Sequence, residues 1–391
     1  MSMATKDTST RATTPSDGSA ALRYGRVVVK AGTNVLTGGT DRLDKAMMGT
    51  LADQVAGMRK DGIEILLVTS GAVAAGREVL GLRPDQRGIP LRQTQAAVGQ
   101  SRLMHAYESL FAQHGLVTAQ VLVTRSDLTD RLGYLNARNT INALLELGVV
   151  PIVNENDVIG VEELAGETIG DNDHLSSLVA SLVDADLLVL LSDIAGLFTA
   201  DPHRFPDAQL ISRVDRIDAG IEALAGRPED SRGRGGMATK IEAARLATAA
   251  GVAVVIADGA EPDVLKKLEQ GEEIGTFFPP AASKLESRKR WMLSAASRTG
   301  SVIVDAGAVE AVLGQHRSLL PAGVTGVEGS FGRGDIVPIL GPDGERLACG
   351  IVNYSSEDVE RIKGLRSDRI GDTLGVTYAD EVVHRNNLVV L

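Results

Sequence analysis

Short runs of branched apolar residues alternate along most of this chain with longer stretches in which apolar side chains recur every three or four positions. The runs at 27–30, 63–69, 117–123, 149–153, 187–191 and 252–256 are largely apolar without alternation, the pattern of strands covered on both faces. Between them, 43–60, 91–113, 132–147, 175–183 and 238–250 carry helical spacing. In the first of these, Leu43, Met47, Leu51, Val55 and Met58 fall on one face. Alternation on this scale predicts βαβ units, hence an α/β three-layer sandwich with a mainly parallel sheet over roughly 23–280. The pattern changes beyond it. A basic stretch from Lys284 to Arg290 leads to Trp291, and then short runs at 301–304, 336–340, 347–352 and 388–391 are separated by glycine and proline. Turn signals at 332–335 and 341–344 complete the picture of a small β-rich module. The expected division is a disordered tail at 1–22, an α/β domain at 23–282, a basic linker at 283–297 and the β-rich domain at 298–391.

Composition narrows the function. Of 391 residues 43% are hydrophobic and only 3% aromatic, and the net charge is −11. Few aromatics leave little for stacking single-stranded bases, and the negative balance disfavours a global grip on nucleic acid or an anionic membrane. Cys349 is the single cysteine, so neither an intrachain disulfide nor a thiolate metal cluster can form. The first twenty residues are rich in Ser and Thr and lack the apolar core of a signal peptide. No run approaches the ~20 apolar residues of a membrane span. A cytoplasmic protein is expected. The 43 glycines gather in clusters beside the apolar runs, where backbone turns tightly or approaches a ligand.

Those clusters fall at the carboxyl ends of the predicted strands, where open α/β sheets bind ligands. Lys30 closes the first run and precedes Gly32; a lysine there can reach an anion that backbone N–H groups also contact. Ser70 and Gly71 follow the second run and open a helix. Asn154, Asn156 and Asp157 follow the fourth, and Ser192 and Asp193 the fifth. Gly170, Asp171, Asn172 and Asp173 open another helix; capping accounts for one of these polar residues but not for the set. Amides and carboxylates together suit a ligand that carries both ammonium and carboxylate, such as an amino acid. The stretch from Gly233 to Lys240 is a glycine loop running into an Ala-rich helix. It follows no strand and is not a Walker A loop. Two lysines on separate loops, without a general-base histidine, fit phosphoryl transfer to a nucleophile that needs no deprotonation, such as a carboxylate.

In combination these stretches resemble the amino acid kinase family, and within it the branch that phosphorylates glutamate. The resemblance is carried by Val29-Lys-Ala-Gly-Thr33, Val68-Thr-Ser-Gly-Ala-Val-Ala-Ala-Gly76, Ala97-Val-Gly-Gln-Ser-Arg102, Leu135-Asn-Ala-Arg138, Val153-Asn-Glu-Asn-Asp157, Gly170-Asp-Asn-Asp173, Gly235-Gly-Met-Ala-Thr-Lys240 and Arg288-Lys-Arg-Trp291. It implies ATP-dependent phosphorylation of the glutamate γ-carboxylate to γ-glutamyl phosphate, the first step of proline biosynthesis, with Mg²⁺ arriving on the nucleotide. By the same resemblance, Lys30 and Lys240 hold the phosphates, and Asp173 orients them with Asp171 in support. Ser70, Gly71, Asn154, Asp157 and Asn172 bind glutamate. Lys30, Gly32, Ser192, Asp193, Arg234, Gly235, Gly236, Met237, Ala238, Thr239 and Lys240 contact ATP. Proline as feedback inhibitor and a homo-oligomer, dimer or tetramer, are implied as well. Two positions depart from the family pattern: Arg234 stands where a small residue is expected, and His174 where some relatives have Asn.

The end of the chain resembles a PUA domain, a small β-barrel-like module, through Leu319-Leu-Pro-Ala-Gly323 and Phe331-Gly-Arg-Gly-Asp335. RNA binding is not expected from it. From residue 298 onward nine Lys or Arg face thirteen Asp or Glu, a net of −4. The alternatives are a kinase acting on N-acetylglutamate, aspartate or UMP, and an RNA-binding regulator on an inactive kinase fold.

Overall fold

The computed structural model describes residues 24–82, 88–160, 172–202, 204–226, 236–284, 286–287, 292 and 300–391. The tail expected at 1–22 and most of the linker expected at 283–297 lie outside them.

The first part of the chain runs β1 (Arg26–Ala31), α1 (Thr33–Thr37), α2 (Lys45–Lys60), β2 (Glu64–Thr69), α3 (Ala72–Leu80), α4 (Ile89–Ala112), β3 (Thr118–Val123), α5 (Arg125–Thr129), α6 (Arg131–Glu146), β4 (Val150–Glu155), α7 (Asn172–Leu182), β5 (Leu187–Ser192), α8 (Ala219–Leu224), α9 (Met237–Ala249), β6 (Ala253–Asp258), α10 (Val264–Glu269) and β7 (Thr276–Phe278). The six expected strands and five expected helices are all present, with ends shifted by a few residues. The shifts have local causes: Asp44 and Asp130 accept backbone N–H bonds from the first turns of α2 and α6 and so fix where those helices begin.

The strands form one seven-stranded sheet in the order β3-β4-β2-β1-β5-β6-β7. All pairs are parallel except the edge pair β6–β7. Period-two alternation sends Val27, Val29 and Ala31 of β1 to one face, against α2, α4 and α10. Val28, and Lys30 two places on, point to the other face, against α6, α7 and α9. Each fully buried Leu or Val in these layers contributes about 1.5–3 kcal/mol. Because β1 connects to β2 on one side and β5 to β6 on the other, the chain leaves their carboxyl ends in opposite directions. A crevice opens between them.

The rest is a second, β-rich unit: β8 (Gly300–Val304), β9 (Val324–Gly329), β10 (Ile336–Leu340), β11 (Arg346–Ile351) and β12 (Leu388–Val390), in the order β12-β11-β10-β8-β9. β9 was not marked by the sequence pattern. It is an edge strand, mostly half-buried or exposed, with glycine at two of six positions, and so has no apolar run. The two units meet along α6. Leu135 packs with Met292, Ile336, Cys349, Ile351 and Val389. Around this apolar seam Arg131 pairs with Asp335 at 2.8 Å, Arg333 donates to Asn136 at 2.8 Å, and Asn139 meets Asn353 and Asn387 at 3.2 and 3.0 Å. Gly334, at φ +90, lets the β10 turn approach α6 closely: a Cβ there would lie 3.3 Å from the Leu132 Cα.

Candidate functional site

The carboxyl ends of β1, β2, β4 and β5 and the first turns of α3, α7 and α9 converge on one region. Lys30 and Asp173 are both fully buried, and their side chains meet at 2.7 Å from Nζ to Oδ1. Lys240, in the first turn of α9, reaches the other oxygen, Oδ2, at 3.0 Å, and the Thr239 hydroxyl donates to the same atom at 2.9 Å. One carboxylate from α7 therefore spaces two ammonium groups that come from β1 and α9. Burial by itself would raise the Asp173 pKa. Lys30 and then Lys240 override it and hold the carboxyl well below the usual carboxylate range.

Asn172, the preceding residue, faces the other way. Its Nδ2 lies 2.9 Å from Ser70 Oγ and 3.0 Å from Asn154 Oδ1, and also contacts the Thr69 carbonyl. Asn154 in turn donates to Gln100 of α4 at 2.8 Å. Asn172, Ser70 and Asn154 line a cleft of about 400 Å³ together with Gly71, Asp157, Asn34, Arg77 and Arg92. Gly71 is the N-cap of α3, at φ 102 and with no side-chain cap on the first N–H groups of the helix. The same holds for α9, which starts after Gly236 without a side-chain cap.

Ser192 and Asp193 lie at the β1–β5 crevice, where the Asn34 amide donates to Asp193 at 3.0 Å. Burial opposes ionisation of Asp193, but the Asn34 bond leads a set of partners that lower its pKa. Gly32 precedes α1 in the same crevice and is buried.

The structure thus brings together Lys30, Gly32, Ser70, Gly71, Asn154, Asp157, Asn172, Asp173, Ser192, Asp193, Gly236, Met237, Ala238, Thr239 and Lys240 at one sheet edge. Asp171, Arg234 and Gly235 lie outside the described residues, as does Gly170. Thr239, expected at ATP, bonds Asp173. Sequence reasoning missed Arg77 and Arg92 on the cleft wall. Arg77 falls seven residues after Ser70, two turns along α3, so the helical period carried a usable signal. Arg92 carried none beyond its place in the first turn of α4.

Among the described residues no group of three or more His, Cys, Asp or Glu could hold a metal ion, and no helix is long and apolar enough to cross a membrane.

Comparison with known proteins places the two parts of the chain in families. The amino acid kinase family model matches residues 25–258, and the PUA domain model residues 300–374. A glutamate 5-kinase of Dehalococcoides mccartyi is 52% identical over 368 residues, covering 94% of this chain and 99% of that protein. Another, of Herpetosiphon aurantiacus, is 52% identical over 364 residues, covering 93% and 98%. A UMP kinase structure from Bacillus anthracis aligns over 66% of this chain and 97% of its own with a TM-score of 0.45 at 16% identity.

Proposed function

Since the chain belongs to the amino acid kinase family and carries a PUA domain, we propose that it transfers the γ-phosphoryl group of ATP to the γ-carboxylate of L-glutamate. The product is γ-glutamyl phosphate, made in the first step of proline biosynthesis. The observation that carries this reading is Asp173 clamped between Lys30 and Lys240, beside a polar cleft of amino-acid size.

The γ-carboxylate is ionised at neutral pH, so it attacks phosphorus without a general base. A carboxylate O–P bond forms, the bond to ADP breaks, and negative charge spreads over the transferred group. Lys30 and Lys240 neutralise that charge from fixed positions. Asp173 pairs with both lysines and aims them, and Asp171 supports it. Ser70, Gly71, Asn154, Asp157 and Asn172 hold glutamate, with Asn154 near its α-amino group. Arg77 and Arg92 supply positive charge on the same wall for its carboxylates. Gly32, Ser192, Asp193 and the 234–240 loop contact ATP, with the positive N-terminal end of α9 toward phosphate. Mg²⁺ would arrive on the nucleotide and would add positive charge at the phosphates beside Lys30 and Lys240. Proline, which shares the α-ammonium and α-carboxylate of glutamate, competes for the same cleft, and the active form is a homo-oligomer.

The deciding experiment is ATP consumption by the purified enzyme that depends on free L-glutamate, with the acyl phosphate trapped as hydroxamate. Turnover only with N-acetylglutamate, aspartate or UMP overturns the reading.

A further inference from the structure

We infer that Arg138 is a positioning residue that couples the PUA domain to α7, the helix presenting Asn172 and Asp173 to the site; the inference rests on the reading of that site given above.

The eleven residues of α7 span about 16 Å at 1.5 Å per residue, and both ends of the helix are fixed to β1. At its start Asp173 bonds Lys30 near the end of β1. At its finish the Val183 carbonyl accepts from Arg26, the first residue of β1. Position along α7 is therefore position in the site: a shift at one end is transmitted to the Asp173 carboxylate at the other.

A second arginine holds that far end. Arg138 of α6 is 2% exposed. Its Nη1 donates to the Leu182 carbonyl, and its Nη2 contacts Asp184 Oδ2 at 2.5 Å. Asp184 stops the helix in a left-handed conformation, φ 52. The same guanidinium crosses into the other domain. Nε donates to Asn387 Oδ1 at 2.7 Å and Nη2 to the Asn386 carbonyl at 2.6 Å. A guanidinium is planar, with its donors in fixed directions, so it cannot follow one set of partners without pulling on the other. Positive charge at a helix carboxyl end is also favourable.

The remaining polar contacts of the seam end on α6. Arg131–Asp335, Asn136–Arg333, Asn139–Asn353 and Asn139–Asn387 join α6 to the PUA domain. Arg138 hydrogen-bonds the carboxyl end of α7 and the PUA domain with one guanidinium, and Tyr134, one turn earlier on α6, packs against the apolar clusters on both sides. The Leu135–Arg138 stretch that marked the sequence thereby acquires a role: Leu135 seats the PUA domain, and Arg138, three residues on, relays its position to the catalytic helix.

The test compares two cuts in one seam. Asn387→Ala removes the Nε acceptor, and with it the bond to Asn139, but keeps Arg138 on Leu182 and Asp184. Arg131→Ala removes the ion pair to Asp335 and leaves the α7 contacts intact. Both are read by thermal unfolding, by kcat and KM for glutamate and ATP on fully folded protein, and by amide hydrogen exchange over 174–182. Expected for Asn387→Ala is a fall in kcat of about tenfold with little change in KM for ATP, and faster exchange in α7. Asn387→Asp, which restores an acceptor oxygen, recovers kcat. Arg131→Ala lowers the unfolding temperature but changes neither kcat nor α7 exchange. Wild-type kcat and wild-type α7 exchange in Asn387→Ala overturn the inference, and so does an equal loss of kcat in Arg131→Ala. Should the wild-type enzyme fail to turn over glutamate, the proposed activity falls, and α7 exchange still decides the coupling.

Discussion

Because Lys30 and Asp173 are both at 0% exposure, Asp173→Asn leaves a buried ammonium without its counter-charge. Breaking a buried pair from one side costs about 3–5 kcal/mol, so this variant is expected to unfold at clearly lower urea and to lose turnover. The pH behaviour has a definite sign. Asp173 titrates below its unfolded value, so the stability it contributes is fully present above the ordinary carboxylate range. It is lost only as pH falls through the depressed folded value. The stability gap between wild type and Asp173→Asn should stay constant from about pH 8 to 5 and close only in strong acid, measured by urea titration at each pH. Lys240→Ala acts differently. Its charge matters most when the transferred group is most negative, so kcat should drop by about 10³ or more while calorimetry still detects glutamate binding. Lys30, Asp173 and Lys240 were legible in the sequence because each breaks an apolar or Ala-rich context beside a glycine turn. Arg92 was not, since an arginine on a helix looks the same whether it faces solvent or a cleft.

The pairing of α3 with α4 shows how an element positions the site without entering it. A Cβ on Gly76 would lie 1.8 Å from the Gln95 carbonyl oxygen, and one on Gly99 1.8 Å from that of Ala72. The helices can touch only because both positions lack a side chain. This contact fixes the start of α3, hence Ser70 and Gly71, and it holds Gln100 against Asn154. Gly99→Ala should therefore cost about 1–3 kcal/mol of stability, by thermal unfolding, and raise KM for glutamate more than KM for ATP. Equal changes in both KM values would show that α3 does not locate the glutamate cleft. Elements differed in how far the sequence revealed them. Strands β1, β2, β4, β5 and β6 were plain because helices cover both faces and favour apolar residues at most positions, while β3, a half-exposed edge strand, stood out by its Val121–Val123 run. The short helices α1 and α5 escaped notice because five residues hold too little periodicity, and the start of α5 is set by a Thr124–Asp127 capping box.

Charge over the whole molecule makes a further prediction. With −11 overall and −4 beyond residue 298, the PUA domain sits in a repulsive field for a phosphate backbone. Unstructured RNA at physiological salt should give no shift in electrophoretic mobility; a robust complex would mean that a local groove overrides the net field. The sequence did show two units, through the loss of βαβ alternation after residue 280. It could not show that they share a seam on α6, because Leu135 and Arg138 carry the same helical spacing as residues facing their own domain. That seam encloses the protein's one sulfhydryl. Cys349 is fully buried under Leu135, and burial pushes its thiol pKa up against the opposing influence of Arg346. A thiol both occluded and protonated reacts with disulfide reagents only while the domains part. Its modification rate, followed by colour release with no added dye or mutation, is a clock for domain separation, one that Leu135→Ala should make run faster.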